Sequence, residues 1–147
     1  MEIVIDTNVF LSSLFSRNGA SYLLVEWLLK EFKCGEQHNV ISNTLITEFD
    51  DVLLREKHIV MCAPLSREDI ETFIDGLCLI SYHQKINFLW RPFLRDSNDD
   101  MVLEVAFNAK AKYIITHNTK DFEGVEEKFD IKVVTPQSFL KKTGVLK

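Results

Sequence analysis

The apolar positions of this chain change period several times, and each change marks an element. Ile3, Val4 and Ile5 form an unbroken β-branched run between polar neighbours, the pattern of a strand buried on both faces. Asn8 to Phe15 reads as a short helical stretch, Arg17-Asn18-Gly19 as a break, and Ala20 to Phe32 as a helix with Leu23, Leu24, Trp27, Leu28 and Leu29 on a broad face. Asn39-Val40-Ile41 is a second short strand. Ser42 or Asn43 can cap the helix that follows, whose stripe is Leu45, Ile46, Phe49, Val52 and Leu53.

Pro64 and Ser66 open a further helix, Arg67 to Leu79, with Ile70, Phe73, Ile74 and Leu77 inward, and Leu79 to Ile86 is expected to close as a strand. Pro92 interrupts regular structure before Met101, Val102, Val105, Ala106 and Ala109 begin another helical stripe. Tyr113 to Thr116 and Ile131 to Val134 are the last strands, and Pro136 opens a terminal helix. Strands alternating with helices predict an α/β fold: three layers, with a twisted parallel sheet of about four or five strands and helices on both faces.

Length adds one constraint. At 147 residues the chain can bury one core, and residues 1–147 are expected to form one domain. Its 46% hydrophobic and 27% charged residues lie in the ordinary globular range. A formal charge of −5 argues mildly against nonspecific binding to polyanions, although acids gathered around a metal give the same total. Cys34, Cys62 and Cys78 are odd in number and lack paired spacing, so neither a disulfide framework nor a zinc site is expected, and a reducing cytoplasm fits. Glu2 and Asp6 stand where a signal peptide needs basic and then apolar residues, and no apolar run is long enough to span a membrane.

Candidate chemistry gathers at strand ends and one helix start. Asp6 ends the first strand, followed by Thr7 and Asn8; in an open α/β sheet the site lies outside the carboxyl ends of the strands. Glu48 falls on one edge of its helix stripe and Asp50 on the other. Asp96, Asp99 and Asp100 precede the helix of Val102 and Val105, and Asn118 and Asp121 follow the strand ending at Thr116. Oxygen donors of this kind suit Mg2+ or Mn2+. Carboxylates brought together without a cation repel one another, so their convergence points to a metal.

These residues resemble the PIN domain family of metal-dependent ribonucleases, which includes the toxin halves of bacterial toxin–antitoxin pairs. Asp6-Thr7-Asn8 after a strand resembles the family's opening motif, Glu48 its helical acid, Asp99 in DDMVLEVA its third acid, and THNTKDF its closing motif, in order from Met1 to about Phe122. The resemblance implies catalytic roles for Asp6, Glu48, Asp99 and Asn118, with Asp6, Glu48 and Asp99 as ligands of Mg2+ or Mn2+. Asn8, Asp96, Asp100 and Asp121 are additional candidates. It also implies an RNA substrate cut to 5′-phosphate and 3′-hydroxyl ends, a small antitoxin partner and a homodimer. Asn118 departs from the Asp that many members carry there, and no substrate-binding residues are identified.

Each feature also has a plainer explanation. Asp6 can end a strand in an Asx turn, and Asn118 can be a turn residue. Glu48 can be solvated. The acids at the helix start would favour its macrodipole, with Ser97 as cap and Asp100 reaching back. His117 is expected to be a bystander. Trp90, Arg91, Phe93 and Arg95 interleave rings and cations as a nucleic-acid groove does, but an aromatic core segment with snorkelling arginines accounts for them better. Arg55 to His58 and Lys110 to Lys112 read as ordinary solvated positions.

Two rival functions share the motifs. The haloacid dehalogenase phosphatases begin D-x-D-x-[TV], which would make Asp6 a covalent nucleophile, yet Asn8 replaces their second Asp and Glu48 is left unused. A catalytically decayed module that binds RNA or protein is the other.

Overall fold

A computed structural model describes residues 1–89 and 91–147. The chain runs β1 (Ile3–Ile5), α1 (Thr7–Phe15), α2 (Ala20–Lys33), β2 (Val40–Ile41), α3 (Asn43–Leu53), α4 (Glu56–Met61), α5 (Arg67–Ile80), β3 (Tyr82–His83), α6 (Ser97–Ala109) and β4 (Tyr113–Ile115). A 3-10 turn (Thr119–Phe122), α7 (Val125–Phe129), β5 (Lys132–Val134) and α8 (Pro136–Lys142) complete it.

Strands β1, β4 and β5 form one parallel sheet, and β2 and β3 pair in parallel beside it. A parallel bridge from Ile3 to Asn39, with Ile3 N–H donating to His38 O at 2.9 Å, joins them into the order 3-2-1-4-5. After β3 the chain therefore returns across β1 through α6 to form β4. The order reverses between β1 and β4, and that gap is where an open α/β sheet receives ligands. Right-handed crossovers put α6 on the opposite face from α1 and α2.

The core follows the apolar pattern. Ile3, Val4, Ile5, Ile114 and Ile115 are buried in the sheet; Phe10 meets Phe49 edge-on across α1 and α3. On the α2 face, Trp27 and Tyr113 both meet Phe139 of α8 edge-on. Ser42 caps α3, and Ser66 caps α5 in a reciprocal box with Asp69.

Two expectations are corrected and one helix is added. The strand expected over Leu79 to Ile86 shrinks to Tyr82–His83, because the inward period of Ile70, Ile74 and Leu77 carries α5 on to Ile80. Glu56–Met61 forms α4, a helix the apolar period did not announce, and Arg55, Glu56 and Lys57 are solvated as expected. The cap of α6 is Asp96, whose carboxylate accepts from Asn98 N–H at 2.9 Å; it is not Ser97.

Candidate active site

Asp6 occupies the N-cap position of α1 yet makes no side-chain capping bond. Parallel pairing continues one residue past β1, with Asp6 N–H donating to Ile115 O at 2.9 Å, so the side chains of Asp6 and Thr116 emerge together at the reversal of strand order. There the Thr116 hydroxyl donates to Asp6 Oδ2 at 2.8 Å, and Thr116 Oγ1 accepts Asn118 N–H at 3.1 Å. Asp6 is only 8% exposed.

Next along the chain, the Thr7 hydroxyl donates to Glu48 Oε2 at 2.7 Å, drawing the α3 acid toward the start of α1. Glu48 is half-buried, so its position on the helix edge does not leave it in open solvent. Asp50, on the other edge, is exposed. Asp99 lies in the first turn of α6, and no hydrogen bond to its carboxylate is formed among the described residues.

Electrostatics tie these groups together. Burial raises the Asp6 pKa, opposed by the bonds from Thr116 and the Thr7 amide and reinforced by Asp121 and Asp96. Burial raises Glu48 as well, opposed by Thr7 and reinforced by Asp6, Asp96 and Asp51. Asp99 is pushed up to about 7, first by burial and then by repulsion from Asp6, Asp96, Asp121 and Glu48. Asp6, Glu48, Asp96, Asp99 and Asp121 thus share one field.

Among the described residues no three Asp, Glu, His or Cys side chains already stand in ion-ligating positions. Uncompensated carboxylates repel, and Asp6 and Glu48 are each turned onto a threonine hydroxyl. The donor set still fits a hard divalent cation in kind: it is all oxygen and anionic, and its repulsion is of the sort a central positive charge relieves.

The remaining candidates separate. Asp100 is 1% exposed and accepts Leu94 N–H at 2.8 Å and Phe93 N–H at 3.3 Å, so the structure places it in a loop anchor. Asn8 Oδ1 receives His117 N–H at a long 3.5 Å. Asp121 is exposed in the 3-10 turn, its N–H on Asn118 O at 3.0 Å, and Asn118 and Asp121 line a cavity of about 420 Å3 with His117, Thr119 and Lys120. His117 Nε2 lies 3.0 Å from Ser21 Oγ, and desolvation lowers its pKa. Sequence reasoning did not single out Thr7 and Thr116 as carboxylate partners, although both lie inside the quoted motifs; a hydroxyl beside an acid at a strand end was the available signal.

The structure is thus an α/β fold whose parallel sheet carries acids at its point of strand reversal. The PIN domain family model matches residues 2–120, and the chain belongs to that family, whose members are typically metal-dependent nucleases. No curated protein matches it.

Proposed function

We propose that this chain is a Mg2+- or Mn2+-dependent endoribonuclease, that residues 1–147 act as one nuclease domain, and that Asp6, Glu48 and Asp99 hold the metal. The observation that supports this is the shared field of those acids, strong enough to bring Asp99 to about 7. When bound, the cation supplies charge stabilisation at the phosphate and leaving oxygen and lowers the pKa of a bound water. Thr116 fixes Asp6 through Oδ2 and Thr7 fixes Glu48 through Oε2, leaving the other oxygen of each for ligation. Asn118, tied through its backbone to the Thr116 hydroxyl, presents a neutral amide at the rim, with Asp121 beside it.

We further propose that it is the toxin half of a toxin–antitoxin pair acting in the cytoplasm, with a small antitoxin and a second copy of itself as partners. This finer reading rests on the motif resemblance. Purified protein incubated with RNA and Mn2+ should cut it, leaving 5′-phosphate ends, and EDTA or Asp6→Asn should stop the reaction. Turnover of a phosphomonoester through an acyl phosphate on Asp6, with RNA intact, would replace the nuclease by a phosphatase. Induced expression should arrest growth, and arrest that persists with Asp6→Asn would contradict the toxin reading.

A further inference from the structure

The segment of Arg91, Phe93 and Arg95 packs along α6 instead of opening a groove. Asn108 Oδ1 accepts Asn87 and Phe88 N–H at 2.9 and 3.0 Å, Arg91 pairs with the buried Glu104 at 2.8 to 3.1 Å, and Asp100 takes the Phe93 and Leu94 amides. Phe93 meets Phe129 edge-on at 5.3 Å, and Trp90 lies outside the described residues. His117, expected to be a bystander, has a more specific place.

His117 stands between Thr116 and Asn118, and successive side chains there grip different elements. Thr116 reaches back to Asp6 at the end of β1, whereas the His117 ring crosses to α2, where its Nε2 lies 3.0 Å from Ser21 Oγ, 96 positions away in sequence. Ser21 is 3% exposed, and a buried hydroxyl that loses its partner is costly, so the serine holds the ring in place. A weaker second tie runs from His117 N–H to Asn8 Oδ1 of α1 at 3.5 Å. One exposed residue thus joins the loop after β4 to both helices.

Further along, the loop is pinned again by Phe122, buried at the end of the 3-10 turn. Between these anchors Asn118 is held by its backbone: its N–H donates to Thr116 Oγ1 at 3.1 Å and its O accepts Asp121 N–H at 3.0 Å. Among the described residues its side-chain amide forms no hydrogen bond. A carboxylate would be drawn into place by a cation, but a neutral amide gains much less from that field, so the backbone must set its position. His117 adds no counter-charge, because desolvation lowers its pKa and favours the neutral ring.

We propose that His117, locked by Ser21, is a positioning residue that fixes this loop so that the Asn118 amide stands correctly at the rim of the acidic site. The proposal rests on the ribonuclease reading. A displacement of about 1 Å in such a group can cost about a hundredfold in rate, which is the reason a rim bond matters.

The test is steady-state cleavage of a single-stranded RNA oligonucleotide in Mn2+ by the full-length protein, joined to amide hydrogen exchange in EDTA. Ser21→Ala and His117→Ala should each lower kcat roughly tenfold with KM unchanged, and the double variant should lose no more than either alone, since both remove one contact. His117→Gln, whose amide can stand where Nε2 does, should regain most of the rate; His117→Asn, whose amide stops short, should not. In the Ala variants the Asn118 and Asp121 amides should exchange faster while those of β1 and β4 stay protected. His117 is exposed, so its variants should melt with the parent; if the buried Ser21→Ala fails to fold, the His117 series decides. Parental rates in both Ala variants, unaltered exchange, additive losses, or His117→Gln no better than His117→Asn would overturn the lock and leave the nuclease standing. A raised KM with kcat unchanged would put the ring on the substrate and overturn it as well. RNA left intact by the unaltered protein overturns both.

Discussion

Asp99 and Asp100 are neighbours in the first turn of α6, and their surroundings could hardly differ more. Asp100 is buried with its carboxylate on two backbone amides, and Glu104, one turn on, is matched by a guanidinium. Asp99 has no such partner among the described residues and faces four other carboxylates, which together with burial hold it near 7. Asp100 and Glu104 are satisfied by donors, whereas the acids at the strand ends are left in a conflict that the proposed cation would relieve. One residue type at adjacent positions anchors a loop in one case and, as proposed, holds a metal in the other, and the difference lies in whether a donor is present.

The comparison breaks most easily in activity. Asp99→Asn should cost more than about a hundredfold in RNA cleavage, a larger loss than the 10- to 100-fold typical of a supporting partner, whereas Asp100→Asn should cost far less at a temperature where it is folded. Asp96→Asn should fall between them. The reverse ranking in a cleavage assay would exchange the two roles. Thr116→Val, which removes the donor on Asp6 Oδ2, should cost roughly 10- to 100-fold in metal affinity or rate.

Stability should rank the neighbours the other way. Asp100→Ala leaves the Phe93 and Leu94 amides without their acceptor and should destabilise the protein by about 2 kcal/mol in urea titration, while metal-free Asp99→Asn should be as stable as the parent or more so.

The last contrast is in pH. The folded pKa of Asp99 is raised, so its contribution is fully present below the unfolded value of 3.8 and is lost as pH rises through about 7. Asp6 and Glu48 act in the same direction, and His117, lowered by burial, acts oppositely. Metal-free protein should therefore lose stability relative to Asp99→Asn between about pH 4 and 7; a constant difference across that range would mean Asp99 is not in the shared field.

Much of this fold was legible because periodicity is local. The β-branched run at Ile3 to Ile5, the stripe of Leu45, Phe49 and Leu53, and the proline opening α8 are each visible within a few residues and stand where expected. The order of strands is not local, and with it the fact that Asp6 meets Thr116, 110 positions away. The anchoring of Arg91, Phe93 and Leu94 on α6 was illegible for a related reason. Asp100, Glu104 and Asn108 look like the solvated face of an amphipathic helix until the chain that covers them is known, and an acid anchoring amides carries the same letter as one awaiting a cation.

The central claim is that Asp6, Glu48 and Asp99 form a metal site whose charges oppose one another when metal is absent. Thermal melts of the unaltered protein and of Asp6→Asn, each in EDTA and in Mn2+, test it without knowledge of the substrate. Neutralising Asp6 should raise the midpoint in EDTA. Mn2+ should stabilise the unaltered protein by about 2.7 kcal/mol at a hundred times its dissociation constant and the variant by much less. Equal gains from Mn2+ in the two proteins would contradict the claim.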